Sequence, residues 1–275
     1  MLKNTPIRIL DDCKAERRLA DGSKIIGLEL DIFGRRLDFH IAALGDARLA
    51  DIVPAARVIC DKITDTTTEQ IRVQGGSIPC HKACPACCSY FVSLSVPEVV
   101  CFGQEIFHKQ KYQLNTLRTY LHAARRIIRH RPPNNVPESS SGSSNNPSEL
   151  KALADWYAGL NLTCPFLRNS QCTIYEQRPF VCREHFVTGS ADGCRPNSGE
   201  AQVIEMPVQM GNVLCRLSEK LCDVGDAVMM PLALAWCDVN KQLCERTWPA
   251  EVMTKLFVEI IKETVSSARL QLTQH

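Results

Sequence analysis

The sequence predicts an α+β fold, mainly α, from three observations. Two alternating apolar runs lie early in the chain, a cysteine-dense stretch without sustained periodicity occupies the middle, and helical periodicity dominates the end. The expected layout is an N-terminal α+β region with a β-hairpin over residues 1–74, a loop-rich cysteine-cluster metal core over 75–200, and a helical C-terminal region over 201–275.

Residues 1–24 are polar and mixed. From Gly27, Leu28, Leu30 and Ile32 point one way, and Glu29 and Asp31 the other. After Phe33-Gly34-Arg35-Arg36 the alternation resumes with Leu37, Phe39 and Ile41, so the two runs read as a hairpin with one buried face. Ala47 to Asp61 reads as helix started or interrupted near Pro54, with Cys60 in it as a small apolar residue. Gly75-Gly76-Ser77 closes this region. Pro85 excludes a long straight helix through the first cysteines, and Pro97-Glu98 opens a helix toward Phe107 after the apolar run Tyr90 to Val96.

Residues 111–131 predict an amphipathic helix whose apolar stripe is Leu114, Leu117, Leu121 and Ile128, with Arg118, Arg125, Arg126 and Arg129 on a solvated face. Residues 132–148 are rich in Ser, Asn and Pro and read as a flexible linker. Glu149 to Leu160 is a short helix bearing Leu153 and Trp156. Three helices follow, near 209–223, 230–246 and 250–270, the last with Met253, Phe257, Ile261 and Val265 in one line.

A chain of 275 residues with 45% hydrophobic and 23% charged residues has ample material for a core. A net charge of +2 gives no reason to expect nucleic acid as a partner. The N-terminus lacks the basic-then-apolar layout of a secretory signal, and no apolar run approaches the roughly 18 residues of a membrane span. A cytoplasmic protein is expected, in which thiols stay mostly reduced. There, fifteen cysteines point to metal or redox chemistry rather than a disulfide scaffold.

Eight of those cysteines fall into two sets of four. Cys80, Cys84, Cys87 and Cys88 lie within nine residues, and Cys164, Cys172, Cys182 and Cys194 follow beyond the linker. Zinc and iron–sulfur sites need several thiolates converging from separate segments, so all eight are candidate metal ligands, expected to meet despite the linker. Cys87 and Cys88 are adjacent and are expected to point apart. His185, three residues after Cys182, and His81 are weaker candidates, because a single histidine beside a cysteine is more often merely exposed. Lys82, Arg168, Arg178, Arg183 and Arg195 flank the cysteines and could offset thiolate charge or simply form surface pairs. Cys215 and Cys222, like Cys237 and Cys244, are seven apart. On two facing helices, flanking Val213, Leu217, Leu221 and Trp236, Val239, Leu243, these four read first as core and second as a further metal or disulfide site.

The run Cys80-x3-Cys84-x2-Cys87-Cys88, then Cys164-Pro165-Phe166-Leu167, then Cys172-Thr173-Ile174-Tyr175-Glu176-Gln177-Arg178-Pro179 and Cys182-Arg183, resembles the zinc- or iron-chelating cysteine-cluster family of the YkgJ type. The resemblance covers roughly residues 78–195 and implies a metal-binding domain with those eight cysteines as ligands. It also implies a distant relation to flagellin lysine N-methylases, which share a similar cluster.

Three functions follow as expectations: a module that holds zinc or iron, with a metal ion and, where the work is partner contact, a protein as partners; an iron–sulfur enzyme using S-adenosylmethionine to methylate a protein lysine; or an interaction module with structural zinc. The first three cysteines also match the spacing of radical S-adenosylmethionine enzymes, but Ala86 stands where an aromatic residue is common there. No glycine-rich phosphate loop or Gly-x-Ser-x-Gly turn appears, leaving Tyr175, Glu176 and His185 as the available acids or bases near a metal.

Overall fold

The computed structural model describes residues 5–10, 21–107, 114–132, 140–141, 147–195 and 201–272. Its first sheet has the order β1-β3-β2, all antiparallel, from β1 (Ile7–Leu10), β2 (Lys24–Ile32) and β3 (Arg35–Ala43). The predicted hairpin forms, and Leu28, Leu30, Ile32, Phe39 and Ile41 are buried on one face. Its turn places Phe33 and Gly34 at φ 51° and 78°, the left-handed pair that matches strand twist in a two-residue connection. Phe33 accepts a conformation usually left to Asn or Gly, while Gly34 N donates to Asp31 Oδ1 at 2.9 Å. The sequence reading missed β1, because four residues buried only at their two ends carry no alternation.

Helix α1 (Val53–Val73) starts with Pro54 in its first turn, as predicted, but runs twelve residues past Asp61. The run Thr64 to Thr68 has low intrinsic helix propensity. Yet the hydroxyls of Thr64, Thr66, Thr67 and Thr68 donate back to the carbonyls of Asp61, Lys62, Ile63 and Asp65 at 2.8–3.1 Å, so each polar group is satisfied within the helix.

Helix α2 (Val96–Phe102) opens on a capping box: Glu98 Oε2 accepts from Ser95 N at 2.9 Å and Ser95 Oγ at 2.8 Å. The other oxygen, Oε1, accepts from Phe180 N at 2.8 Å. A local cap thus also fixes a segment 82 residues away.

Helix α3 (Leu114–His130) corrects the predicted stripe. It buries Thr116, Tyr120, Ala123 and Ile127, and leaves Leu114 73%, Leu121 41% and Ile128 60% exposed, on the same side as Arg118, Arg125 and Arg129. Tyr120 decides the rotation. Its ring packs with Phe102 and Phe166 at centroid distances of 6.5 and 6.3 Å, and its hydroxyl donates to Met230 O at 2.6 Å.

Of the predicted linker 132–148, residues 133–139 and 142–146 lie outside the described residues. Within it, Ser140–Ser141 pairs antiparallel with Asp226–Ala227, and Pro147 already belongs to α4 (Pro147–Gly159). Helix α5 (Phe180–Glu184) is short, and polar contacts hold it on two sides. Arg183 reaches Asp61 of α1 and the carbonyl of Glu176, while Glu184 Oε1 accepts from Met210 N at 2.6 Å and from Cys60 Sγ at 3.4 Å. Met210 begins α6 (Met210–Cys222), whose Val213 and Leu217 are buried.

The predicted helix 230–246 is divided at Asn240 into α7 (Ala233–Val239) and α8 (Lys241–Glu245). Asn240 turns back on Trp236, donating to its carbonyl from N at 3.0 Å and from Nδ2 at 2.9 Å. Val239 consequently faces solvent, 84% exposed, instead of joining Trp236 and Leu243 in a stripe. Helix α9 (Ala250–Leu272) buries Met253, Phe257, Ile261 and Val265 as expected.

Two cores result. The larger joins the sheet, α1 and α2 to α6 and α9 through residues such as Leu28, Ile59, Val96, Leu217 and Phe257. The smaller gathers Leu94, Phe102, Tyr120, Phe166, Ile174 and Met230, with Cys164, Cys172 and Cys182 packed against it. Among the described residues no helix is long and apolar enough to cross a membrane.

Two substitutions test this frame. Arg183→Ala is expected to cost about 1.5–3 kcal/mol in chemical denaturation, the range for hydrogen bonds to a charged group, because the guanidinium is buried although Asp61 is half exposed. Glu98→Gln turns an amide donor toward the N–H of either Phe180 or Ser95 and is expected to cost about 1–3 kcal/mol. Burial pushes the Glu98 carboxyl above its ordinary value, against the pull of the Phe180 and Ser95 donors and of Arg57. A carboxyl raised in the folded state contributes fully below its unfolded pKa and loses that contribution as pH rises through the folded value. The advantage of wild type over Glu98→Gln should therefore shrink as pH rises from about 4.5, and a pH-independent difference would contradict this.

Candidate metal centre

The first cysteine set lies on a chain of tight turns rather than on a helix. Cys84 N donates to His81 O at 3.0 Å, Cys88 N to Pro85 O at 2.9 Å and Tyr90 N to Cys87 O at 3.0 Å. Pro85 favours this path, since it cannot donate within a helix interior. The second set is delivered by successive short elements. Cys164 N donates to Cys88 O at 2.8 Å, so the backbones of the two sets are directly joined. Leu167–Arg168 and Gln171–Cys172 then form a hairpin turned at Asn169 and Ser170, both at positive φ. Helix α5 supplies Cys182, and a 3-10 turn over Ala191–Cys194, capped by Ser190, supplies Cys194. Gly189 N returns to Ser77 O at 3.0 Å and closes the loop on the start of the first set.

All eight cysteines line one cavity of about 110 Å³. His81, Tyr90, Tyr157, Tyr175, Arg178 and His185 share its walls. Among the described residues, no three Cys, His, Asp or Glu side chains stand as a group at metal-holding geometry. The sulfurs are thus distributed around a shared space rather than gathered at one point.

Their arrangement does not follow the order of the sequence. Cys194, from the second set, raises its thiol pKa through burial and then through Cys87, Cys80 and Cys84, all of the first set. Its Sγ lies 3.9 Å from His185 Nε2, and the His185 ring meets Tyr90 edge-on at 5.5 Å. Cys164, Cys172 and Cys182 lie against the smaller core, each feeling the charge of Cys87. Cys87 is therefore electrostatically connected to both ends of the cavity. Cys88 does not point away from it. The thiol of Cys88 is the largest cause of the raised pKa of Cys87, ahead of burial. Burial is the main cause of the upward shifts at Cys80, Cys172 and Cys182, and pushes Cys164 up to about 12. Burial also lowers the pKa of His185, favouring a neutral imidazole.

Most of the flanking cations are engaged away from the sulfurs. Lys82 pairs with Glu176 at 3.3 Å, Arg195 with Asp192 at 3.4 Å, Arg183 with Asp61, and Arg168 Nη2 donates to Thr116 Oγ1 at 3.2 Å. Glu176 and Lys82 are exposed at the rim, and Lys82 and Arg178 both stand over the Tyr175 ring, at cation-to-ring distances of 5.0 and 4.0 Å. Tyr90 and Tyr157 were not singled out from the sequence. Tyr90 had a local signal, lying two residues after Cys88, whereas Tyr157 reaches the cavity from α4 and had none.

The other cysteine pairs stay apart from this cavity. Cys215 is buried on α6, and Cys222 Sγ donates to Ser218 O at 3.0 Å in the same helix. Cys237 Sγ faces Val99 O at 3.7 Å, and Cys244 Sγ lies 4.0 Å from Cys237 O. The break at Asn240 places these last two on different helices, so two facing helices with four thiols in register do not form.

Comparison with known proteins agrees with the site. No curated protein and no solved structure matches the chain. Residues 79–205 match the family model CxxCxxCC, described as "Putative zinc- or iron-chelating domain". The first interval here holds three residues, Cys80-x3-Cys84, where the family's name spells two. The match covers under half of the chain and supports the resemblance of its cysteine-rich segment to the zinc- or iron-chelating cysteine-cluster family.

Proposed function

We propose that this protein holds zinc or iron in the thiol-lined cavity, with Cys80, Cys84, Cys87, Cys88, Cys164, Cys172, Cys182 and Cys194 as the ligand pool. The observation that carries the reading is that eight cysteines, from segments more than a hundred residues apart at their extremes, all line one cavity. The donors suit the metals: thiolates are soft ligands that select zinc and iron–sulfur centres over magnesium or calcium. His185 is a ninth donor at the Cys194 end. Bound there, the metal would tie together loops that have little regular structure of their own, and iron would add the capacity to exchange an electron.

A second reading, an iron–sulfur cluster, is favoured by the size of the cavity. Its volume of about 110 Å³ is several times the roughly 10–15 Å³ that one water requires by a comparable measure, leaving room for a multi-atom centre. Eight sulfurs are also twice what a single four-coordinate ion takes. In either reading the chain's own part is to present thiolates, exclude bulk water with Tyr90, Tyr157, Ile174 and Met230, and hold the loops through the Cys88–Cys164 backbone bond.

Anaerobically purified protein is expected to carry zinc or iron in stoichiometric amount by elemental analysis, colourless in the first case and with visible absorbance and acid-labile sulfide in the second. Cys84→Ser and Cys182→Ser are each expected to lower metal content and to reduce the melting temperature by roughly 4–8 °C, as for a loss of about 2 kcal/mol in a chain of this size. Cys222→Ser should leave metal content unchanged. Full metal content and unaltered melting in both ligand variants would refute the assignment.

A further inference from the structure

Five cations flank the cysteines in sequence, and four have other partners: Lys82, Arg168, Arg183 and Arg195 are held by Glu176, Thr116, Asp61 and Asp192. Arg178 differs. Its guanidinium carbon lies 4.0 Å from the centre of the Tyr175 ring, and it lines the cavity together with the eight thiols. Its Nε is buried and has no hydrogen-bond partner, as is also true of Arg168 and Arg183, but those two have a partner at another guanidinium nitrogen. No carboxylate pairs with it among the described residues, and sulfurs of both sets, Cys80 and Cys87 with Cys172 and Cys182, feel its charge.

A guanidinium keeps its proton at any ordinary pH, so this charge cannot be relieved by titration. Leaving such a cation partly buried and unpaired costs stability. The Tyr175 face returns only part of that cost, because a cation–π contact at a partly exposed site is weak. The cost is offset when negative charge arrives in the cavity, and a divalent ion held by four thiolates carries a net charge of minus two. Resting on the metal site proposed above, we infer that Arg178 is a positioning residue whose guanidinium, in the wall of the sulfur-lined cavity, balances the negative charge of the thiolate-held metal. The other flanking cations shape the rim and the fold instead.

The test compares wild type, Arg178→Gln and Arg178→Lys as full chains, each loaded with Zn²⁺ and each stripped with chelator. Arg178→Gln is expected to bind Zn²⁺ about 10–100-fold more weakly in competition with a chromophoric chelator, the usual effect of removing an outer-sphere partner. Arg178→Lys, which keeps the charge, should recover most of that loss. Stripped Arg178→Gln should melt close to stripped wild type, because what it loses on Tyr175 is offset by removing an unpaired buried charge. A purely structural role would instead lower the melting temperature of the stripped protein as much as that of the loaded one, and that result would overturn the inference. So would equal Zn²⁺ affinity in wild type and Arg178→Gln, with the metal site itself left standing. Wild type that takes up neither zinc nor iron would remove both.

Discussion

One buried carboxylate sets the relation between the frame and the cysteine loops. Glu98 caps its own helix with one oxygen and receives the N–H of Phe180 with the other, so the start of α2 and the start of α5 share a fixed point. Phe180 enters the larger core, and Cys182 follows two residues later at the cavity. Arg183 and Glu184 extend the same clamp to α1 and α6. A segment of five residues would not hold a helix alone. Three polar attachments hold it in place, and those of Glu98 and Glu184 lie in a dry environment where each is strengthened and would be costly to leave unmade.

The consequence is a division of labour. The regular elements bury apolar surface and supply most of the stability, whereas the cysteine loops consist of turns, a two-residue hairpin and short helices. Such loops contribute Phe166 and Ile174 to the smaller core but have few repeating hydrogen bonds to set against the entropy of fixing them. A metal bound by residues from several of these turns would supply what the loops lack, which is why ligation and local folding are linked in the proposed function. The backbone bond from Cys164 to Cys88 and that from Gly189 to Ser77 keep the loops near their final paths, so that a metal would have to draw in side chains more than rearrange backbone.

Much of this was legible in the sequence where one physical signal dominated. Alternation over Leu28 to Ile41 gave the hairpin and its buried face, and four-residue spacing gave the buried line of α9, because burial on one side is the main determinant of both. The cysteine motifs picked out eight residues that share a cavity, since side-chain chemistry does not depend on knowing the path of the chain. Illegible parts had competing signals. On α3 the leucines formed the more regular stripe, yet one tyrosine with two aromatic neighbours and a carbonyl partner fixed the opposite rotation. The threonine run of α1 disguised a helix whose hydroxyls bond internally. The crosswise grouping of Cys194 with Cys80 and Cys84 depends on the return of the chain at Gly189, a tertiary contact that spacing does not encode.

The larger core is built from residues on both sides of the cysteine segment: the sheet, α1 and α2 come before most of it, α6 and α9 after. During synthesis the thiols therefore leave the ribosome before half of their supporting frame exists, and domains complete their packing only when the whole unit has emerged. Until Phe257 and Ile261 arrive, the cysteines belong to a nascent chain that is open to oxidation and to whichever thiophilic ion reaches it first. If the proposed site loads metal, the order in which the polypeptide is made would give the surrounding ions access to its thiols before the frame closes.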